Sequence, residues 1–183
     1  MPGSNNNKFT ESKMKQLTLF RILTFILIPL AALFGVIDFM MVATALANPA
    51  MLLPVFVLAS FVIYTFTSLQ FLTKGIDIGK PCKPSLRDWI RVNAFVSAFM
   101  GIMLLLNTLT IFFMNDSMLR QALSQILEKQ VNVPPMLNIE LFVKMMKLAA
   151  WFMLFISILL LGHIFLNFRL MKLYKHLFQE PVA

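Results

Sequence analysis

The chain has 183 residues, of which 59% are hydrophobic and 13% charged, and its mean hydropathy is +0.80. This composition is far more apolar than that of a soluble domain, and it predicts an all-α integral membrane protein. The net charge is +8. Because the basic residues flank apolar runs, we expect them to meet anionic lipid headgroups rather than nucleic acid. A single cysteine excludes an internal disulfide and a cysteine-based metal cage.

Four long apolar runs dominate the sequence. They cover approximately residues 21–46, 51–73, 89–114 and 148–170. Each run is longer than the roughly 20 residues that a helix needs to cross a bilayer. We therefore predict a four-transmembrane-helix bundle that forms a single membrane domain over residues 1–183. The spans leave no room for a separate soluble catalytic domain.

Basic residues are distributed unevenly around these runs. Of the sixteen Lys and Arg, twelve lie before or at the start of the first run, between the second run and the first residues of the third, or around the end of the fourth, and four lie between the third and fourth. The positive-inside rule places the richer side in the cytoplasm. It predicts a multi-pass protein of the plasma or inner membrane with both termini cytoplasmic. The predicted parts are a cytoplasmic tail over 1–20, a cytoplasmic loop over 74–88, an outer segment over 115–147 and a second cytoplasmic tail over 171–183.

The outer segment has two amphipathic stretches. In the first, Met118, Leu119 and Leu123 recur at helical spacing while polar residues occupy the other face. Val133-Pro134-Pro135 then interrupts the pattern, and a second amphipathic stretch leads into the fourth run. We predict a helical hairpin on the outer face between spans 3 and 4.

An aspartate in the first run places an ionisable side chain within a predicted transmembrane helix. Asp38 lies at a similar predicted depth to Asn107 and Thr110 of the third run, near the outer boundary. A carboxylate inside a membrane is costly and needs a partner. Either Asp38 is a packing group held by Asn107 and Thr110, which we favour, or these residues line an outward-facing polar pocket that binds a cation or proton.

A second polar patch is predicted in the inner half of the membrane. Tyr64 and Thr67 share a face of the second run, and His163 lies at a matching depth in the fourth, where it shares a face with Asn167. A single histidine without an acidic neighbour is a weak catalytic or metal signal. We favour a neutral His163 that is hydrogen-bonded across helices to Tyr64 or Thr67.

Small residues mark the faces that we expect to pack between helices. Small side chains let helix backbones approach closely, whereas bulky apolar side chains are expected to face lipid. The predicted packing residues are Ala31, Gly35, Ser97, Ala98 and Gly101. We expect the pair in the first run to meet small residues of the third.

The sequence gives no constellation typical of an enzyme, and we expect no catalytic residue, cofactor or bound metal. The favoured function is association, as an accessory subunit or membrane-organising factor with a second copy or another membrane protein as partner. The alternative is a small transporter or channel component, oligomeric because four helices enclose little volume.

Overall fold

A computed structural model describes residues 4–128 and 139–178, with side chains for 11–125 and 139–178. Within these ranges the chain is helical and contains no strand. The elements are α1 (Ser4–Ala47), a 3₁₀ turn (Pro49–Met51), α2 (Leu52–Gln70), a π-helix (Phe71–Asp77), α3 (Pro84–Phe113), α4 (Asp116–Glu128), α5 (Ile139–Leu173) and a second 3₁₀ turn (Lys175–Phe178).

Four helical segments of the described chain are long and apolar enough to cross a membrane. They are Glu11–Ala47, Pro49–Asp77, Pro84–Phe113 and Ile139–Leu173. They cover the four predicted runs except for Met114, so the all-helical class and the presence of four helices long and apolar enough to span a membrane agree with the sequence prediction. The residues group into two compact units, the first made of 1–100 and 159–183 and the second of 101–158.

α1 begins much earlier than the predicted span, which was expected to follow a cytoplasmic tail over residues 1–20. It has 44 residues, or about 66 Å at the usual rise per residue, roughly twice the thickness of the hydrocarbon core. Directly ahead of the span, Glu11, Lys13 and Gln16 are good helix formers. Lys15 also donates to Glu11 across one turn at 2.6 Å, which supports the extension.

The loop predicted over 74–88 is much shorter in the structure. The second span continues through the π-helix to Asp77, where Arg21 of α1 donates to the aspartate at 2.6 Å. Gly79 then ends the helix in the left-handed region, with φ of 71°, and its N–H bonds the carbonyl of Gly75 at 3.0 Å. This is a common way for a helix to end. α3 starts at Pro84, a position where the missing N–H of proline costs nothing.

Between the third and fourth spans the structure describes α4 and the first turns of α5. The first amphipathic stretch of the predicted outer segment is helical over Asp116–Glu128. The proline interruption at 133–135 lies outside the described residues. Lys147 of α5 donates to Asp116 at 2.6 Å, and Arg120 reaches Glu140 at 3.4 Å. These two ion pairs join α4 to the start of α5.

The core of the first unit draws on all four spanning helices. Large side chains that are fully buried include Phe20 and Leu27 of α1, Phe61 and Tyr64 of α2, Ile90 of α3, and Leu160 and Leu170 of α5. The C-terminal turn closes one end of this core, since Phe178 stacks on Phe71 with ring centroids 5.2 Å apart. A group of polar side chains lies among these apolar residues.

Candidate functional site

The polar group in the first unit is a hydrogen-bond network that links three helices. Its members are Thr24 of α1, Tyr64 and Ser68 of α2, and His163 and Asn167 of α5. All five are buried, with at most 1% of each residue exposed. The network is the densest polar feature inside the apolar core, and we treat it as the candidate site.

His163 lies at the centre of the network, and both of its ring nitrogens have partners. Its Nδ1 is 2.7 Å from the Tyr64 hydroxyl, and its Nε2 is 2.9 Å from the Thr24 hydroxyl. Phe20 stacks on the imidazole at 4.7 Å, and the Tyr64 ring meets it edge-on at 5.5 Å. The histidine is therefore enclosed by protein on its faces and its edges.

The direction of each bond follows from the number of protons available. Thr24 has one hydroxyl proton, and it donates that proton to the carbonyl of Phe20 at 2.7 Å. It therefore accepts from Nε2–H of His163. A buried imidazolium without a counter-charge would be costly, so the ring is neutral and Nδ1 accepts the proton of Tyr64. We assign the Nε2–H tautomer on this basis.

Asn167 supplies the start of the same chain. Its amide nitrogen donates to Ser68 at 2.6 Å and to the Tyr64 oxygen at 3.3 Å. The bonds thus run in one direction, from the Asn167 amide through Tyr64 and His163 to Thr24 and the Phe20 carbonyl. Within the described residues, Oδ1 of Asn167 is buried without a hydrogen-bond partner.

Of the residues predicted for the inner polar patch, the structure joins Tyr64 to His163 but leaves Thr67 outside the network. Tyr64 contacts His163 directly, whereas the Thr67 hydroxyl donates to carbonyls of its own helix, at 2.7 Å to Ile63 and 3.1 Å to Tyr64. Thr24 and Ser68 were not assigned to this patch from the sequence. Asn167 follows His163 by one helical turn and was placed on its face from that spacing, although it is not among the predicted site residues.

The predicted outer pocket draws on residues that belong to different units of the structure. Asp38 belongs to the first unit, and Asn107 and Thr110 belong to the second. Asp38 is half-buried, and its Oδ1 is shielded with no hydrogen-bond partner in the part of the chain that the structure describes. Asn107 is exposed, and the Thr110 hydroxyl donates to the Leu106 carbonyl at 3.0 Å. The pocket therefore stays a prediction.

The predicted packing residues differ in how they are used. Ala31 is fully buried in the core, and Ala98 packs partly buried against it. Gly35 faces α2 rather than the third span, because a Cβ added there would lie 3.7 Å from a methyl group of Val62.

The other two packing residues lie on α3. Ser97 is fully buried, with no described partner for its hydroxyl. Gly101 contacts α5 through its carbonyl, which accepts from Ser157 at 2.8 Å. This backbone contact shows that α3 and α5 approach closely in the second unit, as expected where a helix presents a small residue.

Among the described residues, no three His, Cys, Asp or Glu side chains lie close enough together to hold a metal ion. No family model matches the chain, and neither a curated protein nor a solved structure is similar to it. The buried network and the membrane-length helices are therefore the features that bear on function.

Proposed function

We propose that this chain is a non-enzymatic, four-span membrane protein that acts by association, as an accessory subunit or membrane-organising factor. The observation that carries the proposal is that both ring nitrogens of His163 already have hydrogen-bond partners within the chain. A histidine that transfers protons or binds a ligand needs a ring nitrogen facing its substrate. Here Tyr64 and Thr24 of the same chain occupy both nitrogens. The polar network therefore serves to hold α1, α2 and α5 together.

The proposal includes a topology. Both termini and the connection over 78–83 face the cytoplasm, in a plasma or inner membrane, because basic residues are concentrated on that side. α4 and the first turns of α5 form the two arms of a helical hairpin on the outer face. Two ion pairs between these helices support the hairpin, and so do the separate apolar and polar faces of α4.

A small transporter or channel component is the second candidate, and one observation favours it. Asp38 lies inside a spanning helix, and its shielded oxygen has no described hydrogen-bond partner. Intramembrane carboxylates of this kind often mark ion or proton pathways. In an oligomer, Asp38 would line an outward-facing polar pocket together with Asn107.

Two measurements on the purified protein separate the candidates. The first is the size of the particle in mild detergent, which for association should exceed that of one 20.9 kDa chain with its micelle. The second is proton and cation flux in proteoliposomes, compared between the natural chain and Asp38→Asn. Association predicts no flux that depends on Asp38.

The amide variant is a suitable control because it keeps the shape of the side chain and removes its charge. Flux in the natural chain that Asp38→Asn abolishes, with both proteins equally stable, would establish transport instead. A strictly monomeric particle from native membranes, with no companion protein and no flux, would reject both candidates.

A further inference from the structure

The first unit carries a groove of about 550 Å³ that the network does not use. It lies between the end of α2 with the π-helix, the connection over 78–83 and the first turns of α3. Its walls include Ile63, Thr67, Lys74, Cys82, Lys83 and Trp89. We propose that this groove binds one anionic phospholipid from the cytoplasmic leaflet.

The groove has a basic end and an apolar end. Lys74 and Lys83 are exposed at the polar end of the spanning helices. Ile63 lies eleven residues before Lys74, or roughly 15 Å further along the helix. A phosphate placed between the lysines would therefore direct an acyl chain along the helix towards Ile63. Trp89, which is 57% exposed, lies where indole rings prefer the headgroup level.

The positive charge of this end is available to a ligand. In the described chain, neither Lys74 nor Lys83 has a carboxylate partner, whereas Asp77 is paired with Arg21 and Asp88 with Arg87. A phosphate diester would provide the missing negative charge. Charge complementarity thus favours an anionic lipid over a zwitterionic one, whose choline or ethanolamine would meet the same lysines.

Contacts within the chain fix the connection that carries Lys83 at the basic end of the groove. The N–H of Cys82 bonds the Leu177 carbonyl at 2.6 Å, which ties the connection to the C-terminal turn. A Cβ added to Gly75 would lie 2.9 Å from Sγ of Cys82, so glycine permits the close approach of this connection to the π-helix. A preformed site loses little conformational entropy on binding.

The test uses Trp89 as a reporter and brominated lipids as quenchers. The protein carries Trp151→Phe, so that Trp89 is the only tryptophan, and is reconstituted in phosphatidylcholine with a fixed fraction of brominated phosphatidylglycerol or brominated phosphatidylcholine. We expect stronger quenching by the anionic lipid. Lys74→Gln with Lys83→Gln should lower this preference roughly tenfold.

A matched control removes two charges elsewhere. Arg169→Gln with Lys172→Gln changes the net charge equally, and both positions are exposed on α5 outside this groove. That variant should keep most of the preference. Equal losses in the two double variants would show only a general attraction to the anionic surface, and equal quenching by both lipids would show ordinary lipid contact. Relief of quenching by excess inorganic phosphate would assign the lysines to a soluble anion. Each of these three results would overturn the proposal.

Discussion

The Tyr64 hydroxyl offers the most direct test of the network, through the substitution Tyr64→Phe. Phenylalanine keeps the ring that meets His163 edge-on, so packing changes little. Two bonds are lost, a short one to His163 at 2.7 Å and a longer one from Asn167 at 3.3 Å. Hydrogen bonds between membrane helices average about 0.6 kcal/mol and reach about 1.7. Because the longer bond contributes less, we expect a loss of about 1–2 kcal/mol.

The measurement is equilibrium unfolding in mixed micelles with increasing SDS, followed by circular dichroism. Thr67→Val is the control, because that hydroxyl bonds only carbonyls of its own helix, and it should change stability by less than about 0.5 kcal/mol. A double-mutant cycle between Tyr64→Phe and His163→Phe should give a coupling of about 0.6–1.7 kcal/mol. If Tyr64→Phe costs no more than Thr67→Val, or the coupling is zero, the network does not hold these helices together.

Three further predictions concern other parts of the chain. Gly35→Ala should be tolerated, because its Cβ would make an ordinary contact with α2, whereas the larger Gly35→Ile should destabilise the protein by about 1–3 kcal/mol in the same SDS unfolding assay. Lys147 holds the pKa of Asp116 below its usual range, so this ion pair stabilises the fold above the unfolded pKa and is lost as pH falls through the lower folded value. An NMR titration should therefore find a higher Asp116 pKa in Lys147→Gln, and an unchanged value would contradict the pairing. Cys82 should resist a membrane-impermeant maleimide in intact cells and react after lysis. The reaction should be slow because burial raises the pKa of the Cys82 thiol. Labelling before lysis would contradict the proposed cytoplasmic location of Cys82.

Hydropathy was sufficient to predict four helices long and apolar enough to cross a membrane, because lipid requires long apolar helices whatever their neighbours. Depth along each run also placed His163 at the level of the face that carries Tyr64 and Thr67. The choice of Tyr64 rather than Thr67 was not available from the sequence. Both residues lie on one predicted face, and periodicity defines faces without saying which helices are adjacent.

Other features leave little or no trace in the sequence. Nothing in Phe71–Asp77 indicates a π-helix, since no side chain there specifically favours the wider turn. The loop over 74–88 was predicted from its Gly and Pro residues, yet the second span continues helical to Asp77, where Arg21 of another helix pairs with the aspartate. Such long-range contacts decide where helices end and are absent from any local pattern.

The order of synthesis gives the network a consequence for membrane insertion. Thr24 bonds the Phe20 carbonyl of its own helix and enters the membrane already satisfied. The Tyr64 hydroxyl, by contrast, makes its short hydrogen bond to α5, and His163 follows 99 residues later. At 5–20 residues per second, that delay is about 5–20 s. Under the proposed membrane topology, the half-made protein carries a Tyr64 hydroxyl without its α5 partners for this period, which marks it as incomplete to any factor that recognises polar groups in the bilayer.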